Sequence, residues 1–322
     1  MPIPSPDHAF TAANDLGPSA DPTYAGALSF MRRRFSKDVE GADVTVWGVP
    51  FDGLVSNRPG TRFGPQAIRR ASAIFDNDPQ YPFHHDIFEH LRVVDYGDCA
   101  LDYRFPERAH EAIRKEAGDL LSKTGFLLTL GGDHSITHPL LQAHHDRHGP
   151  ISLVHFDAHQ DTWPIPRRAE DGTPRSDHGS FLTAAIGSGL VDAASSIQIG
   201  IRTHAPETCG VEILHGYDVE EMSATAIAER IYARTGGTRV YLTFDIDCLD
   251  PAYAPGTGTP VAGGPSSAKM LSVLYHLKNL DFIGADVVEV SPPYDHSDVT
   301  AIAGASVAMY VLGILAGKKA VA

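Results

Sequence analysis

The chain has 322 residues, with 26 Lys and Arg against 40 Asp and Glu, so its formal net charge is −14 when histidine is neutral. Hydrophobic residues make up 43% of the chain and charged residues 20%, as in an ordinary globular protein that can form a sizeable core. This composition excludes collagen-like, disordered and disulfide-scaffold proteins, and the acidic balance argues against a nucleic-acid binder, which needs a basic face.

The first 42 residues are rich in Pro, Ala, Ser and Asp and have no sustained hydrophobic period. We expect an N-terminal arm over residues 1–42, followed by one domain over residues 43–322. The N-terminus lacks the basic and apolar regions of a signal peptide. The three cysteines, Cys99, Cys209 and Cys248, are odd in number and widely spaced, which indicates a reducing compartment. We therefore expect a soluble, cytoplasmic protein.

From residue 43 onward, short β-rich runs alternate with helical segments. The runs predicted to be strands begin at Asp43, Arg92, Phe126, Ile151, Ser196, Arg239 and Phe282. Several of them are apolar on both faces, which is typical of parallel strands that are covered on both sides. The predicted helices follow Pro65 and Pro106 and span residues 135–148, 218–234 and 266–278. This alternation predicts a single three-layer α-β-α domain with a mainly parallel sheet.

The C-terminal stretch from Ala301 to Gly317 carries no charged residue. Its length is at the lower limit for crossing a bilayer, but we expect a buried helix that closes the α/β domain.

Four polar clusters follow predicted strands at their carboxyl ends. They are GGDHS at residues 131–135, DAHQD at 157–161, DIDCLD at 245–250 and EVSPP at 289–293. In open α/β sheets ligands bind at the carboxyl edge of the strands, so the four clusters are expected to meet in one site. Each motif taken alone has a plainer explanation as a turn or helix cap; in GGDHS the cap would be Asp133 or Ser135.

The spacing within the clusters predicts a site for two metal ions. On extended backbone Asp157, His159 and Asp161 project to one side, as do Asp245 and Asp247. Carboxylates placed this close repel one another unless a cation or a proton lies between them. Oxygen donors with two imidazoles and no thiolate favour Mn²⁺ over a structural zinc, with Fe²⁺, Co²⁺ or Ni²⁺ as substitutes.

The remaining histidines are not expected to bind metal. His155 has the same strand parity as Asp157 but lies one step deeper, which favours a role behind the ligands or in core packing. His144, His145 and His148 are expected to be solvated.

These motifs together resemble those of the ureohydrolase family, the arginases and agmatinases. The agmatinase branch is the most similar, through QIGIRT at 198–203, YLTFDIDCLDP at 241–251 and DVVEVSPPYD at 286–295. The family's usual order is kept, with DHG at Asp177 between DAHQD and FDIDCLDP, and with EVSP last. Residues 50–72 and 254–260 also match. The resemblance implies a fold of the arginase–deacetylase type and two Mn²⁺ ions per subunit.

The resemblance also implies a role for individual residues. The metal ligands would be His134, Asp157, His159, Asp161, Asp245 and Asp247, with Asp157 and Asp245 bridging the two ions. The ions would lower the pKa of a bridging water, and the resulting hydroxide would attack the guanidinium carbon. His178 would shuttle protons and protonate the leaving amine, Glu289 would pair with the guanidinium, and Asp161 is counted with them as catalytic.

The predicted reaction is the hydrolysis of agmatine to putrescine and urea, a step of polyamine metabolism. Trp163 stands where arginases carry an asparagine that recognises the substrate α-carboxylate, so arginine is disfavoured and Trp163 becomes a candidate substrate-binding residue. Arg167, Arg168 and Arg175 would favour 4-guanidinobutyrate or 3-guanidinopropionate if one of them pointed inward; otherwise they are solvated. A metal-binding subunit without turnover is the other alternative.

The expected partner is therefore a small guanidino substrate, with no nucleic acid and no membrane. Family members usually form trimers or hexamers, so the resemblance implies a homo-oligomer.

Overall fold

The structure is a computed structural model, and it describes residue 16 and residues 23–75, 79–165, 167–168 and 174–321. The predicted arm over residues 1–42 thus lies partly outside the described residues, and its boundary stays a prediction. Within the described part, residues 30–35 belong to the folded body of the protein. Phe30 and Met31 lie in the core, and Arg34–Phe35 pair with a strand of the main sheet.

The strands of the described chain are β1 (Arg34–Phe35), β2 (Val44–Gly48), β3 (Val93–Asp98), β4 (Phe126–Leu130), β5 (Ser152–Phe156), β6 (Arg167–Arg168), β7 (Pro174–Arg175), β8 (Ile197–Ile201), β9 (Glu212–His215), β10 (Arg239–Asp245) and β11 (Asp281–Val288). The α-helices are α1 (Gly64–Ser72), α2 (Ile87–His90), α3 (Ala109–Leu121), α4 (Thr137–His148), α5 (Phe181–Gly187), α6 (Gly216–Glu221), α7 (Ala224–Thr235), α8 (Ser267–His276) and α9 (Val299–Val321). Every predicted strand is therefore present.

Nine of the strands form one sheet in the order β1-β3-β2-β4-β11-β10-β5-β8-β9. All neighbouring strands in this sheet are parallel. Strands β2, β4, β5 and β8 are buried at every residue because helices cover both faces, which explains their continuous apolar runs. The predicted single α/β domain with a mainly parallel sheet is confirmed.

Side chains of each central strand alternate between two core clusters, one on each face of the sheet. In β10, Val240, Leu242 and Phe244 belong to one cluster, whereas Tyr241 belongs to the other. Thr243 has the parity of Tyr241 and of Asp245, at the carboxyl end of the strand. The face on which the polar residues lie is thus set by the two-residue period.

Two local predictions were wrong. The single helix expected over residues 218–234 is two helices, α6 and α7, because Ser223 interrupts the first and caps the second by accepting a hydrogen bond from Ala226 N (3.1 Å). His144, expected to be solvated, is fully buried on the inner face of α4. Its Nδ1 bonds the Leu140 carbonyl over 2.9 Å, and its ring packs edge-on against Tyr241.

The C-terminal helix α9 is long and apolar enough to cross a membrane by length and composition alone. In this fold, 78% of the most apolar 18-residue stretch of the helix is buried, and the helix packs against α1, α2 and α8. The sequence-based prediction of a buried helix that closes the domain is confirmed.

Candidate metal centre

The candidate site lies where four neighbouring strands end. Strands β4, β11, β10 and β5 are adjacent in the sheet, so the polar clusters that follow them meet at one edge, as predicted. The turn after β4 needs glycine, because a Cβ on Gly132 would lie 1.9 Å from the Phe51 carbonyl oxygen. This close approach brings the next residues, Asp133 and His134, against the end of β11.

The first candidate cation position is defined by His134 Nδ1. This atom lies 3.1 Å from one carboxylate oxygen each of Asp157, Asp161 and Asp245. It is buried and has no hydrogen-bond partner in the described part of the chain, whereas Nε2 of the same ring bonds Thr243 Oγ1 (2.8 Å). The imidazole lone pair and the three carboxylates thus face one another around a common point. A divalent cation at that point would have all four groups as ligands.

The carboxylates around this point are electrostatically strained. Burial, together with the charges of Asp247 and Asp157, raises the pKa of Asp245 well above its ordinary value. Burial and the charge of Asp157 likewise raise the pKa of Asp161. Asp161 also has a φ of 50°, in the left-handed region that few residues other than glycine adopt. A cation between these groups would relieve their repulsion.

A second position lies beside the first and shares Asp157 with it. His159 Nδ1 is 3.1 Å from Asp247 Oδ2 and 3.4 Å from Asp157 Oδ1. Backbone groups hold both carboxylates, since Ala158 N donates to Asp247 Oδ1 and His159 N donates to Asp157 Oδ1. Three residues thus surround the second point, and the shared carboxylate makes the pair of positions a candidate binuclear centre.

The donor set contains oxygen and imidazole nitrogen. The thiol of Cys248, which follows Asp247 in the chain, contacts the Ile199 carbonyl over 3.5 Å, and burial raises the pKa of this thiol well above its ordinary value. Hard oxygen donors with two imidazoles fit Mn²⁺ and its neighbours in the first transition row better than a structural zinc.

Glu289 and His178 lie next to the cluster and contact each other. Glu289 follows β11 with a φ of 63°, and its N donates to the Gly132 carbonyl (2.9 Å). Its Oε1 accepts a hydrogen bond from His134 N (2.9 Å) and lies 3.1 Å from His178 Nδ1. Its Oε2 is buried without a hydrogen-bond partner in the described chain. The site therefore contains a carboxylate oxygen that lacks a donor.

The contact with Glu289 determines the proton affinity of His178. Burial lowers the pKa of this imidazole, but the hydrogen bond and the charge of Glu289 outweigh burial and raise the pKa to about 9. On the other side of the ring, Ser56 contacts Nε2 through its hydroxyl (2.7 Å) and its backbone N–H (3.0 Å). Because the N–H is directed at the lone pair of Nε2, protonation of Nε2 requires that Ser56 contact it through the hydroxyl oxygen alone.

A cavity of about 380 Å³ opens over the cluster. Its lining includes His159, Asp161, Asp245, His178, Trp163 and Asp177. Among the lining residues that the structure describes there is no Lys or Arg, and three are aspartates: Asp161, Asp177 and Asp245.

The structure brings together all the site residues predicted from the sequence: His134, Asp157, His159, Asp161, Trp163, His178, Asp245, Asp247 and Glu289. Their individual roles remain predictions. Asp133 also serves as the helix cap that the plainer explanation proposed, because its Oδ1 accepts from Ser135 N (3.0 Å). The backbones of Arg167 and Arg175 pair in the β6–β7 hairpin, but the side chains of Arg167, Arg168 and Arg175 lie outside the described residues.

Sequence reasoning missed several residues around the site. Ser56 lies within residues 50–72, which carry part of the family resemblance, but it was given no role because it is far from His178 along the chain. Gln198, Thr243 and Asp286 were given no role of their own, although each is a polar residue inside a largely apolar strand. Such a polar residue at a buried position was the signal that could have identified them.

Fold and site together define an α/β protein with a candidate binuclear metal centre at the carboxyl edge of a parallel sheet. The arginase family model matches residues 42–313, and the chain belongs to the arginase family. It is 46% identical to a protein named agmatinase from Chromobacterium violaceum, over 94% of this chain and 93% of that protein.

Solved structures show the same relationship. A hypothetical agmatinase from Burkholderia thailandensis superposes with a TM-score of 0.94 at 48% identity, over 98% of both chains. The proclavaminate amidino hydrolase of Streptomyces clavuligerus superposes with a TM-score of 0.86 at 37% identity, over 92% of this chain and 99% of the other.

Proposed function

We propose that this protein is an agmatinase that hydrolyses agmatine to putrescine and urea with two Mn²⁺ ions. The observation that carries the proposal is Glu289 Oε2, a buried carboxylate oxygen without a donor beside the candidate metal centre. A guanidinium N–H supplies the missing donor, and a planar guanidinium is the cation that a carboxylate binds best in a fixed orientation. The relatives named agmatinase support the choice within the family.

The ligands of the two ions would be those predicted from the sequence. His134 and Asp161 would bind the first ion, His159 and Asp247 the second, and Asp157 and Asp245 would bridge them. When bound, such a pair of ions supplies a nucleophile at neutral pH by lowering the pKa of bound water, and it stabilises negative charge at the attacked carbon.

The protein residues then orient the substrate and move protons. Glu289 would hold the guanidinium through its free Oε2, because its Oε1 is kept in place by His134 N and His178 Nδ1. His178, protonated at neutral pH through its contact with Glu289, donates a proton to the departing amine. Because the same carboxylate contacts substrate and acid, the proton donor is held next to the bond that breaks.

The outer part of the cavity favours an amine over a carboxylate at the other end of the substrate. Asp177, which is not a proposed metal ligand, contributes negative charge to the lining, and Trp163 offers an apolar face to a methylene chain. Agmatine is a cation at both ends and is attracted by this lining. The carboxylate of a guanidino acid would be repelled.

The decisive experiment is a substrate panel. Protein loaded with Mn²⁺ is offered agmatine, arginine, 4-guanidinobutyrate and 3-guanidinopropionate at matched concentrations, and urea release is measured. We expect a clear preference for agmatine. Preference for a guanidino acid would overturn the choice of substrate but not the family, whereas full metal loading without turnover of any substrate would favour a non-catalytic metal-binding subunit.

The identity of the metal is tested separately. Metal-free protein is reconstituted with Mn²⁺, Fe²⁺, Co²⁺ or Ni²⁺, and we expect the highest kcat with Mn²⁺. Higher activity with another ion at equal occupancy would overturn the choice of manganese.

We also propose a cytoplasmic homo-oligomer, a trimer or a hexamer, with a place in polyamine metabolism. Light scattering coupled to gel filtration measures the mass of the particle. A monomeric mass for fully active protein would overturn the proposed assembly.

A further inference from the structure

A row of polar side chains crosses the interior of the sheet one step below the candidate metal centre. Gln198 is the register partner of His155, His155 of Thr243, Thr243 of Asp286, and Asp286 of Thr129. These five residues, the polar row, are fully buried in strands that are otherwise apolar. Burying so many polar groups costs free energy unless each has a partner, so their partners indicate their purpose.

Two residues of the polar row, Asp286 and Thr243, form a chain of hydrogen bonds that leads to His134. Asp286 is surrounded by hydroxyls: Thr137 and Tyr241 lie 2.9 Å from its Oδ2, and Thr243 donates to its Oδ1 over 2.5 Å. Because the Thr243 proton is directed to Asp286, the Thr243 oxygen is free to accept from His134 Nε2 (2.8 Å). The proton of the ring is thereby held on Nε2, and the lone pair of Nδ1 faces the carboxylates.

Two other residues of the row, Gln198 and His155, form a chain of hydrogen bonds that leads to Asp157. Gln198 Nε2 contacts His155 Nδ1 over 3.0 Å and also donates to the Gln160 carbonyl. With Nδ1 accepting from this amide, His155 Nε2 carries the ring proton and donates it to Asp157 Oδ2 over 2.7 Å. That oxygen is the one that lies 3.1 Å from His134 Nδ1. The two chains of hydrogen bonds therefore meet at the first cation position, where His134 and Asp157 face each other.

We propose that four residues of the polar row position the ligands of the first cation: Asp286 and Thr243 hold His134, and Gln198 and His155 hold Asp157, whereas Thr129 takes no part. The inference rests on the proposed binuclear centre. The residues act through the ligands and do not touch substrate, so they are positioning residues. Partners of this kind behind a metal ligand change metal affinity by about 10- to 100-fold when they are removed.

The test uses substitutions that keep side-chain shape. Thr243→Val removes the hydroxyl between Asp286 and His134, and Thr243→Ser restores it. Asp286→Asn keeps the shape of the carboxylate but removes its charge. Thr129→Val is the matched control, because Thr129 is equally buried in the same row but its Oγ1 has no hydrogen-bond partner among the described residues.

Binding of Mn²⁺ to metal-free full-length protein is followed without substrate, by the electron paramagnetic resonance signal of free Mn²⁺. For wild type we expect two ions per chain. For Thr243→Val we expect one ion at wild-type affinity and the other bound about 10- to 100-fold more weakly. Thr243→Ser should return to within a fewfold of wild type, and Thr129→Val should match wild type.

The inference is overturned if Thr243→Val binds both ions as wild type does, if Thr129→Val loses as much affinity, or if Thr243→Ser fails to restore binding. Circular dichroism of the metal-free variants tests folding. If Thr243→Val is not native, Asp286→Asn and His155→Gln carry the test with the same expectation of one weakened ion. Wild type that binds no Mn²⁺ would instead contradict the proposed function, so the two failures are distinguishable.

Discussion

At the residue scale, the two nitrogens of His178 have opposite surroundings. Nδ1 lies 3.1 Å from a buried carboxylate oxygen of Glu289, whereas Nε2 faces the partly open loop at Ser56. The first contact favours the charged imidazolium, and the second allows proton exchange with the cavity. This asymmetry suits a group that delivers a proton and regains it in each turnover.

The first prediction concerns the protonation of His178. In metal-free protein we expect a pKa of about 9: burial lowers it, but the hydrogen bond and charge of Glu289, with smaller contributions from Asp161 and Asp133, outweigh burial. The stabilisation linked to this shift is complete below the unfolded pKa of about 6.5 and is lost as the pH rises through about 9. Heteronuclear NMR of the labelled imidazole measures the pKa directly. Glu289→Gln should lower it, and an unchanged pKa in that variant would contradict the assignment of the cause.

A second prediction separates catalysis from metal binding at the same residue. His178→Ala should lower kcat for agmatine by about 100- to 10,000-fold, the range for loss of a general acid. Metal content should stay at the wild-type level, because His178 contacts Glu289 and Ser56 and none of the predicted ligands. Elemental analysis and steady-state kinetics on the same sample give both numbers. Loss of metal in this variant would show that His178 belongs among the ligands.

At the element scale, the C-terminal helix α9 is tightly packed along one side. A Cβ on Gly313 would lie 2.2 Å from a ring carbon of Phe83. Phe83 is buried and surrounded by the rings of Tyr310 and Tyr275, so it has little room to move. The backbone of Gly313 is helical, so glycine is not needed there for an unusual φ. Its lack of a Cβ instead allows the helix to pack closely against Phe83.

The third prediction compares two glycine-to-alanine changes in helices. Gly313→Ala should destabilise the protein by about 1–3 kcal/mol through overpacking against Phe83. The matched change Gly118→Ala, on the exposed side of α3 with open space around it, should stabilise by about 0.4–1 kcal/mol. Urea unfolding measures both. Equal effects of the two changes would contradict the packing argument.

At the scale of the whole molecule, the net charge of −14 is partly internal. Asp157, Asp161, Asp245, Asp247 and Glu289 are all buried at one edge of the sheet. Two divalent cations would offset four negative charges there, so the surface of the metal-loaded protein is less acidic than the formal charge implies. The strands that carry these residues are the centre of the sheet, which couples metal binding to the stability of the entire domain.

The fourth prediction follows from this coupling. Removal of metal with a chelator should lower the melting temperature, because the carboxylates then repel one another or must take up protons. Added Mn²⁺ at about 100 times its Kd should restore about 2.7 kcal/mol per site. Differential scanning calorimetry measures the change, with Mg²⁺ as the control because imidazole ligands disfavour it. A melting temperature that chelation leaves unchanged would contradict a metal site in the core.

Local sequence patterns were enough to predict the strands, most of the helices and most of the site. Apolar runs of strand length predicted each central strand, because residues buried on both faces must be apolar. The ligands could be predicted because they stand at the carboxyl ends of those strands with a two-residue spacing, a local property. A helix cap is also a local property, so Ser223 was a signal that a new helix begins there, although a single helix was predicted over residues 218–234.

The order of the strands in the sheet and their register could be seen only in the folded protein. The hydrogen bond between Thr243 and Asp286 exists because those residues are register partners on β10 and β11, and a slip of one residue would turn Asp286 to the opposite face. The contact of Ser56 with His178 likewise joins distant parts of the chain. Such pairings depend on the packing of the whole sheet and its helices, so no local stretch of sequence contains them.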